Sequence, residues 1–222
     1  MRKGSRVVAG VAALAMGLVL VLPLWRITLG APQYPEGLGM YIRVNTITGM
    51  GPHDLQNING LNHYVGMAKI EPESFPELKY MPWIVVGLMA LGLATAATGS
   101  RKLLIGWTAI FAVAALAGLA DFYKWEYDYG HNLDPTAAIK VPGMAYQPPL
   151  IGSKKLLNFT AKSWPASGGL IAIGVFGTTV LLTLTELRRR DGRGRTAKAS
   201  PPRPKPRNHS IEEPEPAGTR ET

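Results

Sequence analysis

The side chains best suited to bind a metal ion lie in residues 54–67, between two strongly apolar parts of the chain. His63 and Met67 are four positions apart, so on a helix they would share one face. Imidazole and thioether groups suit Cu(I), and the chain has 0 Cys to offer a thiolate instead. The same pair also fits a helix whose methionine simply packs in an apolar core. Two ligands at this spacing are therefore only a weak indication of copper.

Three more candidate metal ligands lie outside that segment: His131, Met144 and His53. His131 follows Tyr123 and Tyr127 at intervals of four, which makes a stripe if a helix extends this far. An interfacial helix end, with its tyrosines in the headgroup zone, explains the same pattern. Met144 could equally be an adaptable packing residue, and His53 a solvated loop residue.

Four apolar runs of roughly 18–20 residues separate the polar segments that carry these candidates, and each is long enough to cross a bilayer. We therefore predict an all-α membrane protein: a four-transmembrane-helix bundle with two long extracytoplasmic loops that form a small cap. The predicted division is an N-terminus (1–6), helix 1 (7–26), outer loop 1 (27–80), helix 2 (81–98), a turn (99–102), helix 3 (103–120), outer loop 2 (121–166), helix 4 (167–187) and a disordered basic tail (188–222). A cleavable signal peptide is the alternative interpretation of the first run.

The net charge of +9 is concentrated just beyond the apolar runs, which indicates membrane topology rather than nucleic-acid binding. By the positive-inside rule, both termini and the turn at 99–102 face the cytoplasm, and the two long loops lie outside. Four tryptophans agree with this orientation, because they fall at the predicted outer ends of spans: Trp25, Trp83, Trp125 and Trp164. We expect the lipid bilayer as a partner, and a bundle of only four helices is compatible with a homo- or hetero-oligomer.

Within the loops, β-branched residues at 41–48 predict a short strand, and residues 57–68 predict a short helix that Gly60 and Gly66 weaken. Residues 121–131 are expected to prolong the third helix beyond the bilayer, with Gly130 as its natural stop. No ionisable residue lies in the middle of a span, which argues against an ion path and hence against a permease. The sequence has no nucleotide-binding loop, nucleophile elbow or HExxH pattern, so we do not expect an enzyme.

Four stretches of the sequence are similar to a family of small bacterial membrane proteins: YPEGL at 34–38, INGLNHYVGM at 58–67, FPE at 75–77 and DYGHNLDP at 128–135. Genes of this family lie beside those of NosL-type copper chaperones and in gene clusters for nitrous oxide reductase. The resemblance covers most of residues 5–187 and carries no residue role with it. It implies a protein of the bacterial inner membrane, with periplasmic loops, that serves copper handling or the maturation of a periplasmic copper enzyme.

Two functions are compatible with these observations. In the first, a non-enzymatic accessory protein binds Cu(I), or docks a copper chaperone or a copper enzyme, on its outer face. Its metal ligands would come from five residues: His63, Met67, His131, Met144 and His53. In the second, a metal-free membrane scaffold or electron-transfer subunit uses its outer loops to bind a partner.

Overall fold

The computed structural model describes residues 1–156 and 158–199, and side chains as far as Arg189. The chain divides into two compact units, Met1–Leu187 and Arg188–Thr222. The described helices are α1 (Lys3–Met16), α2 (Asp54–Val65), α3 (Glu77–Thr98), α4 (Arg101–His131) and α5 (Ser167–Ala199). The described strands are β1 (Trp25–Ala31), β2 (Tyr34–Ile42), β3 (Ile47–Gly49), β4 (Gly152–Leu156) and β5 (Phe159–Pro165). Short 3-10 turns follow α1 at Gly17–Leu20 and precede α3 at Pro72–Ser74.

Four helices in the described part of the chain are long and apolar enough to cross a membrane: Lys3–Leu20, Glu77–Thr98, Arg101–His131 and Ser167–Arg189. These lengths and compositions are those of a membrane protein. α5 continues past residue 187, where the disordered tail was predicted to begin. The rest of that predicted tail, residues 200–222, lies outside the described residues.

The prediction of an all-α protein is wrong, because the segments between the spans form a five-stranded antiparallel sheet in the order β3-β2-β1-β5-β4. At its centre β1 pairs with β5, and Trp25 lies opposite Pro165. β1 follows the first span closely and β5 leads into the fourth, so the two spans bring these strands together. The strand predicted at 41–48 is instead the end of β2, the start of β3 and a turn between them, in which the Arg43 N–H donates to the Thr46 carbonyl at 2.8 Å.

The sheet is joined tightly to the helices where α5 begins beside the end of the first span. The Gly168 N–H donates to the Pro23 carbonyl at 2.9 Å, and the Ala166 N–H donates to the Leu24 carbonyl at 2.9 Å. A Cβ atom on Gly168 would lie only 2.9 Å from the Leu22 carbonyl oxygen. Only glycine therefore permits this approach of α5 to the preceding backbone.

Close packing through small residues holds the helices together, as is common between membrane helices. A Cβ atom on Gly92 of α3 would lie 2.5 Å from the Trp107 ring and 2.7 Å from Ala13. At the end of the helices remote from the sheet, Glu186 is buried and accepts hydrogen bonds from the Ser5 hydroxyl at 2.8 Å and the Arg101 guanidinium at 3.1 Å. This carboxylate connects the beginnings of α1 and α4 to α5.

The C-terminal part of α4 extends beyond the apolar run and packs against the sheet and α2. α4 has 31 residues, and is therefore about 46 Å long, which exceeds the roughly 30 Å of bilayer hydrocarbon. Its charge-free run ends at Ala120, and residues 121–131 follow outside that run. Side chains from these last turns, Phe122, Trp125 and Tyr129, pack against the apolar cluster around Ile27 and other buried residues of the sheet and α2. Residues 25–76 and 121–165 together are called the cap below.

Candidate functional site

A cavity of about 90 Å³ lies inside the cap, between one face of the sheet, α2 and the last turns of α4. Strands place alternate residues on one face, so β1 contributes Ile27 and Leu29 to the lining. α2 contributes Ile58, Leu61 and Val65, whose spacing puts them on one side of a helix. The lining is therefore mainly apolar, as expected for a small-ligand site.

Glu126 is the exception in this apolar lining. Its side chain is 0% exposed, and neither carboxylate oxygen has a hydrogen-bond partner among the described residues. Burial raises the pKa of Glu126 from 4.5 to about 8. An isolated buried carboxylate costs several kcal/mol or takes up a proton, so this residue is poised to bind a proton, a cation or a hydrogen-bonding ligand.

A second unpartnered polar group borders the same cavity. The Tyr146 hydroxyl is buried without a hydrogen-bond partner in the described part of the chain. The Trp125 indole N–H is also buried there, beside the Tyr129 hydroxyl. Trp107, whose indole N–H is buried and unpartnered as well, lies among the spanning helices. Unpaired buried groups are uncommon in folded proteins. Their concentration around one cavity marks it as the candidate functional site.

Two thioethers also border the cavity, from Met40 on β2 and Met67 just after α2. Met40 is buried and Met67 is partly buried. Sulfur from methionine is a soft donor, whereas the Glu126 carboxylate supplies negative charge. The cavity therefore presents a donor set that suits a soft monovalent cation better than Mg²⁺ or Ca²⁺, which prefer oxygen ligands throughout.

The predicted helix-face pairing of His63 with Met67 does not form. α2 ends at Val65 rather than continuing to residue 68, because Gly66 adopts a left-handed conformation with φ of 84°. The Met67 N–H then closes the helix by donating to the Asn62 carbonyl at 2.9 Å. Met67 turns to the cavity, whereas His63 is exposed and does not line it.

His131 ends α4, so the predicted stripe with Tyr123 and Tyr127 is present on a continuous helix. Its imidazole stacks on Tyr127 with ring centres 3.9 Å apart, and Nδ1 lies 2.9 Å from the Tyr127 carbonyl oxygen. Because a carbonyl only accepts hydrogen bonds, Nδ1 carries the proton and a neutral His131 keeps its lone pair on Nε2. His131 is exposed and lies outside the cavity lining.

The other two predicted ligands, His53 and Met144, do not line the cavity either. His53 is an exposed residue just before α2, and Met144 is partly buried in the irregular chain before β4. Within the described residues, no group of three or more His, Asp and Glu side chains is arranged to hold a metal ion. Of the five predicted ligands, the structure brings only Met67 to the cavity.

The two segments of the cap are hydrogen-bonded to each other at the end of α2. The Asp134 N–H donates to the Gly66 carbonyl at 2.8 Å, and the Ile139 N–H donates to the Tyr64 carbonyl at 2.9 Å. Hydrogen bonds from Thr136 lower the pKa of the exposed Asp134 carboxyl, so it is charged at neutral pH. These contacts fix the second segment, which supplies Tyr146, over the cavity.

A second, more open cleft of about 210 Å³ lies beside the cavity and is bordered by residues from 133 to 142. Val65 and Tyr146 line both spaces. The two spaces therefore share a wall, to which Val65 and Tyr146 contribute.

No protein-family model matches the chain, and no curated protein is significantly similar to it. The function must therefore be inferred from the residues themselves. Glu126 was missed in the sequence, although a signal was present: Phe122, Trp125 and Tyr129 recur at helical spacing and mark a buried face. Glu126 lies on that face, four residues after Phe122, and is an acidic residue among aromatic ones.

Proposed function

We propose that the protein is a non-enzymatic accessory protein of the bacterial cytoplasmic membrane that handles Cu(I) for a periplasmic copper enzyme of the nitrous oxide reductase type. The observation that carries this proposal is the lining of the cap cavity. Met40 and Met67 offer two thioethers there, beside the unpartnered carboxylate of Glu126. Thioether ligands favour Cu(I) over harder cations.

Charge balance supports a monovalent ion in this cavity. One carboxylate and one Cu(I) ion form a neutral pair, which is easier to bury in apolar surroundings than either charge alone. Since burial raises the pKa of Glu126 to about 8, the carboxyl is mainly protonated at pH 7 in the metal-free protein. Glu126 would then release its proton to the solvent as it takes up the cation, as metal ligands generally do.

The proposed orientation places the cap in the periplasm. Positive residues adjoin the opposite ends of the spanning helices, including Arg101 and Lys102 at the start of α4 and Arg188 on α5. Such residues are enriched on the cytoplasmic side. The cap would then face a copper chaperone or the copper enzyme itself, as the family resemblance implies.

Competition for Cu(I) against the chromophoric chelator bicinchoninate, under anaerobic reducing conditions, tests the proposal on detergent-purified protein. Replacing both cavity thioethers, Met40→Leu with Met67→Leu, is expected to weaken Cu(I) binding at least about tenfold, since each removed ligand contributes to affinity. The matched control, Met50→Leu with Met89→Leu, removes two thioethers that do not line the cavity and should bind as the wild type.

Two other results would redirect the proposal. If a His63→Ala, His131→Ala double variant loses Cu(I) while the cavity variant keeps it, the metal site lies on the exposed surface of the cap. If the wild type does not compete with bicinchoninate at all, the copper-binding role is wrong, and a metal-free scaffold or electron-transfer subunit becomes the better explanation.

A further inference from the structure

The sheet has a second face, opposite to the one that covers the cavity. Ile27, Leu29 and Ala161 point to the cavity side and are buried or partly buried. Their neighbours along the strands therefore point the other way, because side chains alternate across a strand. We refer to this opposite side as the free face. None of the described helices packs on it: α2 and the end of α4 both lie on the cavity side.

Three cations form a diagonal row on the free face: Arg26 of β1, Lys162 of β5 and Lys155 of β4. Lys162 lies opposite Thr28, two residues along β1 from Arg26. Lys155 lies opposite Thr160, two residues along β5 from Lys162. Each step therefore crosses to the adjacent strand and moves two residues along it. Diagonal neighbours of this kind are about 7–8 Å apart.

All three cations are exposed, and none is in an ion pair with a described side chain. The residues that share the free face with them are neutral. Thr28, Thr160 and Ser153 supply hydroxyls, and the exposed Trp164 lies opposite Arg26. This side of the β1–β5–β4 sheet therefore has an uncompensated charge of +3, from Arg26, Lys155 and Lys162.

The spacing of the cations matches one kind of partner. In an extended chain, residues at alternate positions lie on one side and repeat at about 6.6–6.8 Å. Carboxylates at positions i, i+2 and i+4 would therefore meet the three cations in order. One extended acidic segment would therefore pair all three charges at once, those of Arg26, Lys162 and Lys155.

We propose that the free face docks an extended acidic segment of a partner protein, with carboxylates at alternate positions. A charged lipid headgroup explains the row less well. Arg26 is next to the end of the first span, but Lys155 is level with Gly30, four residues further along β1. Four residues of strand span about 13 Å, so the three cations lie at different distances along β1 from the end of the first span. This interaction uses no cavity residue and is independent of copper.

Binding of a fluorescent dodecapeptide of alternating Glu and Thr to the full-length protein tests the inference. The protein is placed in nanodiscs of uncharged phosphatidylcholine, so that membrane charge does not contribute. The Arg26→Gln, Lys155→Gln, Lys162→Gln triple variant is expected to bind about tenfold more weakly, because three exposed ion pairs are lost. Zero-length carbodiimide crosslinking should join peptide carboxylates to Lys155 and Lys162 in the wild type.

The matched control removes three cations elsewhere in the cap, Lys69→Gln, Lys124→Gln and Lys140→Gln. It should keep wild-type affinity, and thermal unfolding of both triple variants reports whether they are folded. A second peptide of the same composition, with glutamates in adjacent pairs, should bind more weakly than the alternating one. Equal loss in both triple variants, or equal binding of both peptides, would show attraction to net charge alone and overturn the proposal.

Discussion

Replacing Glu126 by glutamine should remove a dependence of stability on pH. Glutamine has nearly the same shape but does not titrate. In the folded protein burial raises the pKa of Glu126 from 4.5 to about 8. The unfolded chain therefore loses this proton at lower pH than the folded protein does. The contribution of Glu126 to the free energy of unfolding is therefore complete below pH 4.5 and is lost as pH rises through about 8.

The magnitude follows from the two pKa values. Between pH 6 and pH 8, the loss in free energy of unfolding is about 2 kcal/mol, on the scale of 1.36 kcal/mol for each pH unit. For a chain of this size, that corresponds to a fall in Tm of about 4–8 °C. The Glu126→Gln variant should lack this contribution, so its Tm should change correspondingly less over the same range.

Thermal unfolding of metal-free protein, followed by tryptophan fluorescence in the presence of a copper chelator, measures this difference. Glu73→Gln is the matched control, because Glu73 is exposed and lies outside the cavity lining. The control should keep the wild-type pH dependence. If Glu126→Gln and the wild type lose the same Tm between pH 6 and pH 8, the carboxyl is not buried and uncompensated as described.

Two further predictions concern glycines. Gly66→Ala should destabilise the cap by about 1–3 kcal/mol, since φ there is 84° and a Cβ would lie 2.9 Å from a backbone oxygen. Thermal unfolding measures this loss. Gly60→Ala is the control and should show no such loss, because a Cβ there meets nothing within 4 Å. Gly92→Ala should destabilise the spanning helices by about 1–3 kcal/mol, because its Cβ would lie 2.5 Å from Trp107. Unchanged Tm in Gly92→Ala relative to Gly87→Ala, whose Cβ has open space, would contradict the packing described.

The four long apolar helices could be anticipated from sequence because a bilayer imposes a simple rule. A span needs an uninterrupted apolar run of fixed length, and such runs are visible without any knowledge of tertiary contacts. The sheet obeys no such local rule. β1 contains Gly30, β2 contains Pro35, Gly37 and Gly39, and β5 ends at Pro165, so these stretches resemble irregular loops in sequence. They become strands because pairing with distant segments satisfies their backbone groups.

The candidate site was only partly predictable for a related reason. The thioether of Met67 marks it as a candidate ligand in the sequence. Its position, however, depends on the left-handed turn at Gly66, which ends α2 before the predicted residue 68. Met40 and Glu126 lie far apart in the chain and share a cavity only because the sheet and α4 meet. A donor set assembled across elements in this way leaves no fixed spacing in the sequence.

The central pairing of β1 with β5 also dictates when the cap can be completed during synthesis. Trp25 pairs with Pro165, so about 140 residues, including two spans, must be made after β1 before its partner exists. At a translation rate of about 5–20 residues per second, the edge of β1 remains unpaired for roughly 7–28 s before β5 has been synthesised. During that interval the β1–β2 hairpin has an open edge and uncovered apolar side chains, and is open to mispairing. Closure of the sheet and entry of the fourth span are therefore late and coupled events, which gives a chaperone a defined period in which to protect the first segment.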